Sequence, residues 1–144
     1  MRLLEKFRIA LRLVMQNWRN SATRNVMIAY GLWVKLPSHA DEMAFIRTDP
    51  EYGVSIGVQI GEVDDFVRRM SDAARTSVMG QSFQIGGYSC SIKPINECLR
   101  VTFTWAVVTG SNITLRSKEV DDGIKAYWIV RSRYSASGRY IANL

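Results

Sequence analysis

The residues that could carry out catalysis are few and poorly spaced. The chain has one histidine, His39, and two cysteines, Cys90 and Cys98, which lack the Cys-x-x-Cys spacing of a zinc site. Residues 53–57 match the G-x-S-x-G pattern of serine hydrolases, but that pattern needs a strand-to-helix turn at the serine and a later histidine. Here Ser55 lies inside an alternating strand pattern and His39 precedes it. We therefore expect no catalytic residue, no metal ligand and no cofactor.

The acidic pairs are also explained without a metal. Asp64 and Asp65 begin a predicted helix, and Asp121 and Asp122 fall in a predicted turn. Both positions favour aspartate, because its short side chain caps exposed backbone N–H groups. We therefore interpret these carboxylates as solvated caps and not as magnesium ligands.

The composition predicts one folded domain spanning residues 1–144. The hydrophobic fraction is 47% and the charged fraction 22%, which excludes intrinsic disorder, and no 18-residue stretch is free of charge, which excludes a membrane span. Two cysteines are too few for a disulfide scaffold, so we expect free thiols in a reducing compartment. Because Arg8 and Arg12 interrupt the apolar region that a secretory signal requires, we expect the protein not to be secreted.

Residues 1–22 form a basic amphipathic segment. Seven apolar residues fall on one helical stripe, namely Leu3, Leu4, Phe7, Ala10, Leu11, Val14 and Trp18. Residues 7–15 also alternate as a strand would, so both structures stay open, with the good helix formers of this segment favouring a helix. The segment carries the basic residues Arg2, Lys6, Arg8, Arg12 and Arg19, and these are candidate polyanion-binding residues.

Three interpretations of this N-terminal segment remain. It could lie on an anionic membrane, insert into a neighbouring subunit, or pack on the chain's own sheet. We expect it to mediate self-association, with Phe7, Leu11 and Trp18 as the apolar contacts and Asp64 and Asp65 of another copy as the acidic partners. Such a head-to-tail contact generates homo-oligomeric rings or open filaments.

The C-terminal region supplies a second basic set. Residues 125–134 are predicted to form a strand with Tyr127, Arg131 and Arg133 on one face and Trp128 and Tyr134 on the other. Arginines on an open sheet face can neutralise phosphates, and aromatic rings can stack on unpaired bases. The alternative is that this face is solvated and binds nothing, and that its arginines keep an edge strand from aggregating. The candidate polyanion-binding residues here are Lys125, Arg131, Arg133 and Arg139.

The remaining pattern predicts an α+β fold, a mainly antiparallel sheet with a C-terminal meander covered by one or two helices. A helix begins near Glu62 and ends by Gly80, with its acidic residues at the positive end of the helix dipole. Strands are expected at 26–36, 43–47, 54–60, 82–92, 98–108, 112–118, 125–134 and 139–143. The strongest core row comprises Leu99, Val101, Phe103, Trp105 and Val107.

Two stretches resemble the rhabdovirus-type matrix proteins. Residues 5–13 are similar to the apolar and basic alternation with which the folded matrix domain opens, and residues 127–138 are similar to its final hairpin. The resemblance implies a non-enzymatic protein that self-associates, contacts the nucleocapsid and adheres to the inner face of a membrane.

The sequence thus predicts a non-enzymatic basic assembly protein. We expect it to form homo-oligomers and to bind a polyanion, either RNA or nucleoprotein without sequence specificity or an anionic membrane surface, in a virion or the host cytoplasm. Three alternatives remain, namely a phage-encoded inhibitor that binds a host protein, a small capsid or tail subunit, and an enzyme whose site is assembled between subunits.

Overall fold

The computed structural model describes residues 4–9, 11, 24–37, 42–48, 53–76, 80–105, 108–135 and 141. Helix α1 comprises residues 4–9, and Leu11 is helical too. The first sheet contains β1 (Asn25–Ala29), β2 (Leu32–Lys35), β3 (Ala44–Thr48) and β4 (Ser55–Val58), and helix α2 (Ile60–Thr76) follows. The second sheet contains β5 (Gln81–Ile85), β6 (Tyr88–Ile95), β7 (Cys98–Trp105) and β8 (Val108–Arg116), and helix α3 (Ser117–Arg131) follows.

The order of elements repeats along the chain. Each sheet is an antiparallel meander whose four strands lie side by side in chain order, and each is followed by one helix. This confirms the expected α+β class and the antiparallel meander in the C-terminal half. The two meanders form separate sheets, whereas the sequence pattern predicted one mainly antiparallel sheet.

The predicted strand 26–36 is wrong, because the chain turns back at Tyr30 and Gly31. Gly31 has a φ of 95°, a conformation that glycine adopts without steric cost. Val26 and Ile28 are buried before the turn, and Leu32 is buried after it. The turn leaves the alternation in phase, so one uninterrupted strand and a hairpin give the same apolar pattern.

The predicted strand 82–92 is wrong for a similar reason. Gly86 and Gly87, with φ values of 54° and 85°, form the two-residue turn between β5 and β6. Two successive residues with positive φ match the twist of the flanking strands, which is why a Gly-Gly pair favours a hairpin. A side chain at Gly86 would overlap Ile56 of β4, so this turn also packs against the first sheet.

The expected core row is confirmed in part. Leu99, Val101 and Phe103 are fully buried, but Trp105 is 59% exposed, and Val107 lies outside the described residues. Trp105 is the last residue of β7, and the register between β7 and β8 shifts just before it, between Phe103 and Thr104. The burial predicted for Trp105 is therefore wrong.

The two cysteines are free, as expected. Cys90 pairs with Phe103 across the β6–β7 ladder, and Cys98 pairs with Ile95. The turn between these strands is two residues long, Asn96 and Glu97. Burial raises the pKa of the Cys90 thiol to about 12, although Arg69 opposes the shift, and this thiol stays protonated at neutral pH.

The largest difference from the sequence-based expectation is α3, which occupies residues predicted as a turn and a strand. Its buried residues recur at helical spacing, namely Val120, Gly123, Ile124, Ala126, Tyr127 and Val130. Because Arg131 ends this helix, Tyr127, Arg131 and Arg133 do not share the face of a strand. The last predicted strand, 139–143, lies outside the described residues except for Ile141, which is not in a strand.

The buried side chains form one hydrophobic cluster drawn from both sheets, α2 and α3. Phe66 of α2 contacts the rings of Phe83 and Phe103, with ring centroids 6.2 Å away in each case, and so joins α2 to the second sheet. Helix α3 packs on β1 at Gly123, where a side chain would overlap the backbone of Ile28. In the second sheet the strands therefore bury one face and leave side chains of the opposite face accessible to solvent.

Candidate nucleic-acid interface

The outer face of the second sheet carries polar side chains on all four strands. Since side chains alternate along a strand, the residues between the buried ones point outward. We name this surface the open polar face, and define it as Ser82, Gln84, Ser89, Ser91, Lys93, Ile95, Cys98, Arg100, Thr102, Thr104, Asn112, Thr114 and Arg116. All of these residues are exposed or half-buried, and none of them is acidic.

Two cations lie directly opposite each other on this face. Lys93 of β6 pairs in register with Arg100 of β7, and Arg100 pairs with Thr114 of β8. Arg116 lies two residues further along β8, beside Cys98. Like charges directly across a strand pair destabilise a sheet, so an anion between Lys93 and Arg100 would relieve their repulsion.

The rest of the face supplies neutral hydrogen-bonding groups. One row across the four strands consists of Ser82, Ser91, Thr102 and Asn112. Gln84 donates to the Ser89 hydroxyl over 2.8 Å, and Thr102 donates to the Asn112 carbonyl oxygen over 3.3 Å. Hydroxyl and amide groups are common donors to phosphate oxygens, and together with the cations they form a surface suited to a phosphate backbone.

A groove at the edge of β8 connects this face with α1. The groove has a volume of about 520 Å³ and includes Arg8 of α1 among its lining residues, together with Thr114 and Arg116 of β8. The structure thus brings Arg8, a sequence-predicted polyanion-binding residue, beside the open polar face. Glu5 and Glu119 also line the groove, so its charge is mixed.

The helix predicted at the N-terminus is confirmed for residues 4–9 and 11. Leu4, Phe7 and Leu11 are 72%, 61% and 47% exposed, so this part of the apolar stripe does not pack on the chain's own sheet. Lys6 and Arg8 are exposed beside it. Helix α1 therefore presents large apolar side chains and basic groups to solvent.

Asp64 and Arg131 are paired with each other. The Arg131 Nε donates to the Asp64 Oδ1 over 2.9 Å, and the Tyr127 hydroxyl donates to the same oxygen over 2.5 Å. The two charged side chains are only 10% and 11% exposed. Burial raises the pKa of Tyr127, and the hydrogen bond to Asp64 raises it further, so the phenol remains a donor at neutral pH.

This pairing corrects two of the sequence-based assignments. Asp64 was expected to contact another copy, and Arg131 was expected to bind a polyanion. Neither side chain is open to an external ion, because the two form an ion pair between α2 and α3. Asp64 is also not the solvated helix cap that the sequence suggested. At the start of α2, Glu62 instead accepts a hydrogen bond from the Gln59 backbone N–H over 2.9 Å.

The other predicted site residues are dispersed. Asp65 is exposed and forms an i,i+4 ion pair with Arg69 over 2.9 Å. Lys125 is exposed on α3, and Arg133 is half-buried just after that helix. Five further residues lie outside the described residues, namely Arg2, Arg12, Trp18, Arg19 and Arg139.

Sequence reasoning missed Lys93, Arg100 and Arg116. The signal was present, because each of these cations occupies the outward position of an alternating strand. What the pattern could not show was the register that places Lys93 opposite Arg100.

The described part of the chain holds neither a group of metal ligands nor a helix that could span a membrane. Over residues 4–9, 11, 24–37, 42–48, 53–76, 80–105, 108–135 and 141, no three histidine, cysteine or acidic side chains are grouped as metal ligands would be. Within the same ranges, no helix has the length and apolar character needed to cross a bilayer.

Comparison with known proteins identifies no family for this chain. The resemblance to rhabdovirus-type matrix proteins stays a prediction. Of the two stretches that suggested it, residues 127–138 do not begin as a hairpin strand, because residues 127–131 belong to α3. No protein-family model matches the chain, and no curated protein sequence matches it significantly.

Proposed function

We propose that this protein is a non-enzymatic assembly protein that binds the phosphate backbone of nucleic acid on the open polar face and self-associates through α1. The observation that carries the proposal is the direct pairing of Lys93 with Arg100 on a face without acidic residues. Both activities are those that the resemblance to matrix proteins implies.

The composition of the open polar face favours nucleic acid over a membrane as its partner. Binding to a membrane surface needs apolar side chains that enter the lipid boundary, in addition to basic groups. Ile95, 38% exposed, is the one large apolar side chain in the open polar face as defined above. Hydroxyls, amides and cations instead match phosphate and sugar oxygens, which carry little sequence information. We therefore expect binding that does not depend on base sequence.

Self-association uses a different surface. Burying Leu4, Phe7 and Leu11 against another copy would remove apolar area from water, and an acidic surface on that copy would attract the exposed Lys6 beside them. Helix α2 offers exposed acidic residues at helical spacing, Glu62, Asp65 and Asp72. With Asp64 buried, this stripe is the acidic surface that we assign to the next copy.

Removing the two opposed cations should weaken nucleic-acid binding. We expect Lys93→Gln combined with Arg100→Gln to lower the affinity for a short uridine oligonucleotide on the order of tenfold at about 0.1 M salt. The slope of log affinity against log salt should fall by about 1.4, because each phosphate contact with a single strand contributes about 0.7. Fluorescence anisotropy titrations at several salt concentrations measure both quantities.

The matched control removes two cations from the helices. Arg75→Gln combined with Lys125→Gln changes the net charge equally, at exposed positions on α2 and α3. We expect this variant to retain most of the affinity. Equal losses in the two variants would indicate attraction by net charge alone, and the absence of any RNA binding by the unmodified protein would contradict the proposal.

Substituting the exposed apolar residues of α1 should reduce self-association. The monomer has a mass of 16.4 kDa. We expect the unmodified protein to show a larger mass, and this mass should rise with protein concentration. Phe7→Ser combined with Leu11→Ser should shift the mass towards that of the monomer. Size-exclusion chromatography with light scattering measures these masses. Ile129→Ser is the control, since Ile129 is 64% exposed on α3. A monomer at every concentration would contradict this part of the proposal.

A further inference from the structure

Strand β8 is the last strand of the second sheet, so β7 pairs with only one of its two edges. The Ser117 N–H donates to the Glu97 carbonyl oxygen over 2.9 Å, which fixes the hydrogen bonding at the end of the β7–β8 ladder. Bonded and non-bonded pairs alternate in an antiparallel ladder, so Leu115 bonds to β7. The backbone N–H and C=O groups of Thr114 and Asn112, at the alternate positions, therefore point away from the sheet.

This free edge of β8 is suited to pairing with another extended chain. Within the part of the chain that the structure describes, no hydrogen bond from outside the sheet reaches the backbone of Thr114 or Asn112. Proteins often shield an edge with proline or charged side chains, because unpaired N–H and C=O groups readily bond to an added strand. Strand β8 contains no proline, and its one charged residue is Arg116 at the last position.

The other three sheet edges contact neighbouring elements. Strand β1 packs on α3 at Gly123, and β4 packs on the β5–β6 turn at Gly86. On β5, the Gln81 side-chain amide donates to the Arg69 carbonyl oxygen of α2 over 3.1 Å. Beside β8 there is instead the groove of about 520 Å³, a volume in the range of pockets that bind small ligands.

The groove has room for a single extended segment. Residues of α1, namely Glu5, Arg8 and Ile9, line it together with Thr114 and Leu115 of β8. The edge strand of a second copy would bring its neighbouring strands with it, and these would meet α1. A peptide segment has no such neighbours, so the groove favours a peptide over the sheet of another copy.

The two sides of an added strand would meet different chemistry, because side chains alternate along it. Positions beside Leu115 lie on the inner side, where Leu115 is buried and Ile9 is half-buried, so apolar side chains suit them. Positions beside Thr114 continue the open polar face. Arg100 pairs with Thr114 and lies two strand spacings, roughly 10 Å, from the added strand. Arg8 lines the groove itself, so acidic side chains suit these outer positions.

The acidic residues of the groove limit this charge preference. Glu119 accepts a hydrogen bond from the Tyr30 backbone N–H over 3.2 Å, so one of its oxygens is occupied. Glu5 is exposed on α1 three residues before Arg8, a spacing at which opposite charges attract. Backbone pairing must therefore supply most of the affinity, and charge a smaller part.

We propose that the edge of β8 binds an extended peptide segment of a partner protein, one that alternates apolar with acidic residues and adds a strand to the second sheet. Backbone hydrogen bonds to Thr114 and Asn112 supply the affinity, and the alternating side chains supply the specificity, as in other cases of strand addition. The proposal does not depend on nucleic-acid binding, because it uses the edge of the sheet and the groove instead of the open polar face.

The first test uses labelled synthetic peptides with blocked ends and measures fluorescence anisotropy. A peptide that alternates valine and glutamate should bind with the glutamates beside Thr114, so that the glutamate N–H groups face β8. N-methylation of the glutamates should weaken binding about tenfold or more, because it removes backbone hydrogen bonds. N-methylation of the valines, whose N–H groups face away from β8, is the matched control and should change the affinity little. A valine–lysine peptide should bind more weakly on the order of fivefold.

Substitutions in the protein test the same contacts. Thr114→Pro removes an outward N–H that the β7–β8 ladder does not use, a position at which an edge strand tolerates proline. It should lower the affinity for the valine–glutamate peptide about tenfold or more. Arg8→Glu should remove the preference for glutamate over lysine without affecting the sheet. Lys6→Glu is its control, because Lys6 is exposed on the same helix but does not line the groove.

Amide hydrogen exchange, followed by NMR, tests the site without any substitution. The valine–glutamate peptide should slow exchange at Thr114 and Asn112 and leave Gln84 on the edge strand β5 unchanged. Absence of peptide binding, or equal binding of the two N-methylated peptides, would overturn the proposal. Slower exchange at Thr114 on raising the protein concentration alone would also overturn it, since a second copy would then occupy the edge. RNA titrations are separate, so either activity can fail without the other.

Discussion

Replacing Gly123 by alanine is expected to destabilise the protein by about 3 kcal/mol or more, the upper range for inserting a methyl group into a packed interior. The added Cβ would overlap the backbone carbonyl of Ile28, where α3 packs on β1. Because the obstacle is backbone, no change of side-chain rotamer relieves the overlap, and α3 or β1 must move. Urea unfolding followed by circular dichroism measures the loss.

Gly61→Ala is the matched control for this prediction. Gly61 lies in the first turn of α2, and a Cβ there would meet no atom within 4 Å. Alanine at an open helical position normally stabilises, by up to about 1 kcal/mol. The same substitution should therefore change stability in opposite directions on the two helices. If Gly123→Ala were as stable as Gly61→Ala, α3 would not approach β1 as closely as the structure indicates.

Asp64→Ala is expected to cost about 3–5 kcal/mol, because it leaves the buried guanidinium of Arg131 without its partner. The Tyr127 hydroxyl loses its acceptor in the same step. Asp65→Ala, one residue away, should cost only about 0.5 kcal/mol, since its ion pair with Arg69 is exposed. Thermal and urea unfolding of the two variants provide the comparison.

A double substitution tests the cause of that loss. Replacing a buried ion pair by apolar side chains is often neutral, whereas removal of one partner is costly. Asp64→Leu combined with Arg131→Met should therefore regain most of the stability that Asp64→Ala loses. Equal costs for Asp64→Ala and Asp65→Ala would show that the pair between α2 and α3 does not form in solution.

The sequence predicted best those features that depend on local periodicity. Helix α2 followed from apolar residues at helical spacing, and β4 and the buried residues of β7 followed from strict alternation. The first hairpin was missed because the turn at Gly31 keeps the alternation in phase. The second was missed although the inward positions change from odd to even numbers across the Gly86–Gly87 turn. Helix α3 was missed because its aromatic and β-branched residues also suit a strand.

The candidate site depended on features that no local pattern contains. Lys93 lies opposite Arg100 because the two-residue turn at Asn96 and Glu97 sets the register of β6 and β7. The pairing of Asp64 with Arg131 joins residues 67 positions apart. Sequence reasoning assigned both of these charges to the surface, because isolated charged residues are rarely buried.

Differential acetylation of lysines, with and without a uridine oligonucleotide, tests whether nucleic acid binds on the open polar face. Lys93 lies on the open polar face opposite Arg100, and Lys125 is exposed on α3, where the sequence pattern predicted a polyanion-binding strand. Mass spectrometry reports the extent of modification at each position. We expect RNA to protect Lys93 and to leave the modification of Lys125 unchanged. Protection of Lys125 with no change at Lys93 would show that nucleic acid does not bind on the open polar face.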